Sequence, residues 1–138
     1  MNNDDVTTMF ALIFVLGLIV AFLIPYVFYL VTLQKTMNAI DPSIRPFHGA
    51  LVWLAFVPVV GWIWLIIYTI LLSTSLDRDL ANRRIGDTSM GVTIAFVVLM
   101  GLSMIPYINL ITIIPMIVLW IIHWVKMAGL RRQLEAAR

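Results

Sequence analysis

His123 is the one ionisable residue inside the apolar body of a candidate membrane helix. Ionisable groups at such depth are functional candidates by default, and a neutral imidazole is a ligand for haem iron or chlorophyll magnesium. The plainer reading is preferred: an interfacial histidine that hydrogen-bonds near the cytoplasmic boundary, one turn from Lys126 and beside Trp124. The other histidine, His48, lies in a different segment with no carboxylate cluster nearby, which argues against a zinc site. Cysteine is absent, so neither a thiolate ligand nor a cysteine nucleophile exists. Phosphate-binding glycine loops, zinc-protease motifs and nucleophile–base constellations are likewise missing, and the chain reads as a non-enzyme that needs no cofactor.

Two Pro-interrupted turns are the other candidates. Pro58 with Gly61, and Pro106 with Asn109, break apolar runs and free backbone carbonyls that an ion pathway could use. No Asp, Glu, Lys or Arg lies deep in any run, which weakens a proton relay or ion pathway, so packed bends are preferred. Gly17 with Ala21, and Gly91 with Ala95, have the small-xxx-small spacing that lets two helices approach closely. Lys126, Arg131 and Arg132 follow the last apolar run and could rest on anionic lipid headgroups, with Arg131 spaced to meet Glu135. Trp53, Trp62, Trp64, Tyr68, Trp120 and Trp124 are read as interface belts and packing surfaces.

The elements that carry these residues follow from composition. Of 138 residues, 62% are hydrophobic and 12% charged, far from the balance of a water-soluble domain. So short a chain has too little interior to bury that surface, so lipid must cover it. The net charge of +2 does not point to nucleic acid, because Lys and Arg sit at the ends of apolar runs and not on a basic face interleaved with stacking aromatics.

The expectation is an all-α membrane bundle in a single domain, residues 1–138, with four apolar segments at about 9–33, 50–76, 89–105 and 110–127. The acidic N-terminus lacks the basic start of a signal peptide, so the first run reads as a retained helix. It carries Pro25, where a kink is expected over a break, and should continue helically until Asp41-Pro42. Two structures fit residues 50–76: a long kinked span, or a short helix that enters, turns at 58–61 and returns on the same side. Residues 77–88 form a charged loop whose tail, Asp87-Thr88-Ser89, has N-cap chemistry for a helix near Met90. The last two segments should form a hairpin around residues 106–109, with Pro115 early in the second arm. Phe56-Val57-Pro58-Val59-Val60-Gly61 faintly echoes Met104-Ile105-Pro106-Tyr107-Ile108-Asn109.

A spanning second segment leaves Lys35 and Arg45 opposite the other cations, Arg138 among them. A returning one gathers every Lys and Arg on one side and satisfies the positive-inside rule better. Either way the 77–88 loop and the tail at 128–138 face the cytoplasm.

Leu33-Gln34-Lys35-Thr36-Met37-Asn38-Ala39-Ile40-Asp41-Pro42, followed by Arg45 and by Val52-Trp53-Leu54 ahead of Pro58, resembles a group of small uncharacterised bacterial multi-pass membrane proteins. The likeness covers residues 26–82 and implies a bacterial inner membrane, with no chemistry attached. The preferred expectation is an accessory or structural subunit that packs against other membrane-protein subunits in the bilayer. The alternative is a homo-oligomeric channel or small transporter, and a more remote one is a pigment or haem subunit built on His123.

Overall fold

A computed structural model describes residues 2–137; Met1 and Arg138, the latter counted above with the basic tail, lie outside them. The described residues form five helices and no strand: α1 (Asn3–Ala39), a 3-10 helix (Gly49–Phe56), α2 (Val60–Asn82), α3 (Met90–Leu102) and α4 (Ile108–Ala136). Three of them, α1, α2 and α4, are long and apolar enough to cross a membrane. The chain divides into two compact units, Met1–Val31 and Thr32–Arg138.

The first unit is one stretch of α1. Asp4 and Asp5 occupy its first turn, where carboxylates complement the helix dipole, and Asp5 Oδ2 accepts from the Asn2 amide at 3.1 Å. From Met9 to Ile24 every residue is exposed, on every side of the helix. A helix apolar all round and bare all round is stable only where its surroundings are apolar too. It continues through Pro25 without interruption, so no break occurs there.

In the second unit the chain folds on itself. The last turns of α1 present Leu33 and Met37 on one face, with Ile40 just beyond the helix end, and all three are fully buried. Pro42 then drives Asp41 out of the helical region and α1 ends, as its sequence predicts. Leu65, Tyr68, Leu72, Leu76 and Leu80 form the buried stripe of α2, and His123, Met127, Leu130 and Leu134 that of α4. The earlier half of α4 buries little beyond Thr112.

The apolar run at 50–76 is two helices. The 3-10 helix has 8 residues, about 16 Å at a rise near 2.0 Å, against a hydrocarbon core of about 30 Å. Val59 then reverses the chain at φ 64°, with the Val60 amide donating to the Pro58 carbonyl at 2.7 Å, a strained γ-turn for a β-branched residue. Gly61 is required just beyond, because a Cβ there would collide with the Ala55 carbonyl. Trp64 Nε1 donates to the Leu51 carbonyl at 2.6 Å and Tyr68 Oη to that of Gly49 at 3.0 Å, fastening the 3-10 helix along α2.

The second turn has the same plan. Tyr107 follows Pro106 at φ 72°, and the Asn109 amide bonds the Ile105 carbonyl at 3.2 Å as the Gly61 amide bonds that of Val57 at 2.7 Å. The faint sequence echo is thus a backbone echo. Ile108 and Asn109, expected in the turn, already belong to α4, and α4 runs on to Ala136 through the expected tail and through Pro115.

α3 begins at Met90 as expected, but its cap differs. Ser89 makes no side-chain cap bond; Asp77, from α2, accepts from the Ser89 amide and Oγ at 2.8 Å each and from the Met90 amide at 3.2 Å. One carboxylate therefore fixes the loop and the start of the next helix together. Asp77→Ala should destabilise the fold by about 1–3 kcal/mol, because it strands several of these donors, whereas Asp87→Ala should cost well under half as much. Reversible unfolding in mixed micelles measures both.

Candidate functional site

Three polar clusters in the second unit are candidates for function. The innermost joins three helices through side chains alone. Ser73 Oγ of α2 lies 2.5 Å from Thr93 Oγ1 of α3, which lies 3.2 Å from His123 Nε2 of α4. All three residues are fully buried. The imidazole also stacks on Phe96, with ring centroids 5.0 Å apart and planes 21° from parallel. His123 is therefore enclosed by the protein, hydrogen-bonded to Thr93 and packed on Phe96. A haem or chlorophyll metal approaching Nε2 would have to displace Thr93.

A hydroxyl–hydroxyl–imidazole chain resembles part of a nucleophile relay, but both hydroxyls are sealed inside the protein, where no substrate could meet them. What the chain does is register three helices: each polar group finds this partner only when all three are in place.

The second cluster lies at the ends of α1 and α2. Asp79, 2% exposed, accepts from the Asp41 amide through Oδ2 at 2.9 Å and from Arg83 Nε through Oδ1 at 2.8 Å. Arg83 also reaches the Ala137 carbonyl at 3.4 Å. Asp41 in turn accepts from the Ser43 amide and hydroxyl at 2.8 and 2.7 Å and makes a tight turn of residues 41–45. Nearby, Asn38 Oδ1 accepts from the Gly49 amide at 3.1 Å and from Arg45 at 3.3 Å. A Cβ on Gly49 would stand 2.6 Å from that same oxygen, which keeps the position open to glycine alone.

The third cluster is the loop-to-α4 pair: Lys126 Nζ meets Asp87 Oδ1 at 2.6 Å. The hydrogen bond from Lys126, with help from the Thr88 amide, holds the Asp87 carboxyl below its ordinary range. Of the tail residues singled out for lipid headgroups, Lys126 is thus committed to Asp87. Arg131 stands 3.6 Å from Glu135, the expected i,i+4 pair beyond hydrogen-bond length, and Arg132 is exposed.

The remaining sequence candidates lie apart from these clusters. Pro58, Gly61, Pro106 and Asn109 form or border the two turns; Asn109 joins Trp62, Ser103 and Met104 around a shallow apolar cleft. The small-residue pairs, Gly17 with Ala21 and Gly91 with Ala95, are open: a Cβ at either glycine would have no atom within 4 Å. Trp53 donates to Gln34 Oε1 at 2.8 Å and Trp124 to Thr32 Oγ1 at 2.8 Å, so these rings pin the base of α1. Among the described residues no three His, Asp or Glu side chains gather to hold a metal ion. Asp77, Asp79, Ser73 and Thr93 were not singled out from sequence. Only the Asp79–Arg83 i,i+4 spacing and the Asx-Pro-Ser pattern at Asp41 carried a local signal.

No family model, curated protein or solved structure matches the chain.

Two outcomes follow from this geometry. Thr93→Val keeps the shape but removes the hydroxyl that Ser73 and His123 share, and should cost about 1–2 kcal/mol; adding Ser73→Ala should recover part of that loss. Lys126→Gln should raise the Asp87 pKa, read by carboxyl NMR. Because the pair lowers that pKa, its stabilisation is present above the ordinary carboxylate range and lost as pH falls through the Asp87 value.

Proposed function

We propose that this chain is a non-catalytic accessory or structural subunit of a larger complex in a bacterial inner membrane. The observation that carries the reading is the bareness of α1: its most apolar stretch has no buried residue, while residues 32–137 supply their own core. Such a helix gains little from its own chain and offers a complete surface to another. Gly17 and Ala21 on α1, and Gly91 and Ala95 on α3, are open small-residue pairs where a neighbouring helix can approach to backbone distance.

In the membrane, α1 is a full span, and the 3-10 helix with α2 is a re-entrant pair that turns at Val59. The support is twofold: the 3-10 helix is about half the length of a span, and Asp79 joins the loop before it to the end of α2. α3 and α4 make a second hairpin that turns at Tyr107, so four apolar segments give one complete crossing and two hairpins. Lys35, Arg45, Arg78, Arg83, Lys126 and Arg131 then share one side, which the positive-inside rule assigns to the cytoplasm together with the C-terminus.

Extraction in mild detergent followed by mass spectrometry of the intact particle tests the subunit role. Larger membrane proteins should co-purify in fixed stoichiometry, and Gly17→Leu or Gly91→Leu should release them while the chain still inserts. A chain recovered alone as a monomer would contradict the proposal, and a lone homo-oligomer would favour a channel or transporter instead.

A further inference from the structure

The sequence Leu76-Asp77-Arg78-Asp79-Leu80 places one cation between two acids, yet the structure leaves that cation without either. Asp77 spends both oxygens on the start of α3, and Asp79 spends both on Asp41 and Arg83. Arg78 is exposed and lines a polar cleft of about 380 Å³ with Ser43, Ile44, Ala81 and Asn82. One wall is the 41–45 turn, which is held rigidly by Asp41; the other is the last turns of α2. The cleft thus carries the Arg78 guanidinium and the Asn82 side-chain amide, while the carboxylates of Asp77 and Asp79 are already consumed.

An apolar track leads to this cleft. Ile63, Ile67 and Leu71 are 55%, 42% and 36% exposed, and with Thr74, Arg78 and Asn82 they follow one another at spacings of four, four, three, four and four residues. That pattern keeps them within one narrow face of α2. From Ile63 to Arg78 the track is about 22 Å long, the depth of one bilayer leaflet with its headgroups. An amphiphile fits this arrangement better than a free anion does, because its chains would cover the isoleucines and its phosphate would meet Arg78.

We propose that the Ser43–Arg78–Asn82 cleft binds the phosphate of an anionic phospholipid whose acyl chain lies along the Ile63–Ile67–Leu71 face. Arg78 supplies the charge and a forked pair of donors, Asn82 an amide donor, and the apolar track the selectivity for lipid over soluble phosphate. The site depends on the chain lying in a bilayer and is independent of whether a partner protein is present.

The test is native mass spectrometry of the full-length protein released from nanodiscs that contain equal phosphatidylglycerol and phosphatidylcholine. Wild-type protein should retain phosphatidylglycerol preferentially. Arg78→Gln should lose about fivefold or more of that retention, the effect of one cation beside an anionic headgroup. Lys35→Gln, which alters an exposed cation outside the cleft, should retain it fully, and Ile67→Gln should weaken it with Arg78 intact. Glycerol phosphate at millimolar concentration should not compete. Undiminished retention in Arg78→Gln, equal loss in Lys35→Gln, or full competition by glycerol phosphate would each overturn the proposal. Membrane insertion of each variant, checked by flotation with vesicles, separates loss of the lipid site from loss of the fold, and neither depends on the partner test above.

Discussion

The carboxylate of Asp79 is the constraint on which the second unit depends. It is nearly sealed from solvent and divides its two oxygens between a backbone amide at the end of α1 and a guanidinium one turn further along α2. A buried carboxylate without such partners would be strongly unfavourable, so the three groups hold together or not at all. Because Asp41 and Asp79 are 38 residues apart, this junction closes a long loop and fixes where the chain must be when it comes back. Everything between them, the polar turn, the 3-10 helix, the reversal at Val59 and most of α2, is an excursion that starts and finishes at one place.

The other polar contacts extend this logic outward. Asp77 fixes α3 to the same turns of α2, the Ser73–Thr93–His123 chain fixes α4 to both, and Trp124 ties α4 back to Thr32 near the base of α1. In an apolar solvent, helices gain little from hiding leucine, so complementary hydrogen bonds and close packing decide which faces meet. The apolar stripes of α1, α2 and α4 fill the space between these fixed points. Along residues 9–24 of α1 and most of the first half of α4, away from these polar contacts, the helix is bare. The division of labour is between a polar-stapled base and apolar surface left for lipid or protein.

Sequence periodicity and composition revealed the helices, their apolar character, the end of α1 at Asp41-Pro42 and the start of α3 near Met90. They did so because those signals are local: run length, a proline's effect on its predecessor, capping residues in sequence. The choice between a kinked and a returning second segment was not local. The proposed return draws on the short 3-10 helix and on the bond between Asp41 and Asp79, and neither acid differs in type from any other in the chain. Ser73 and Thr93 are small polar residues in apolar helices, and nothing local to His123 marks them as its partners 30 to 50 residues away in sequence. The cap of α3 misled in the same way, since Ser89 has the right chemistry and a carboxylate 12 residues upstream takes its place. The candidate lipid cleft is not legible in sequence for a related reason: its two walls, the 41–45 turn and the last turns of α2, meet only in the fold.

The absence of cysteine makes one measurement unusually clean. Single cysteines at Ser43 and Asn82, which bracket the excursion, can be labelled in sealed, right-side-out membrane vesicles with an impermeant maleimide, before and after the cytoplasmic face is opened. Protection of both until opening is the expected result, since Asp79 keeps the two ends together. Labelling of one from outside and the other only after opening would mean that residues 50–76 cross the membrane, and that the Asp41–Asp79 junction does not exist in the bilayer.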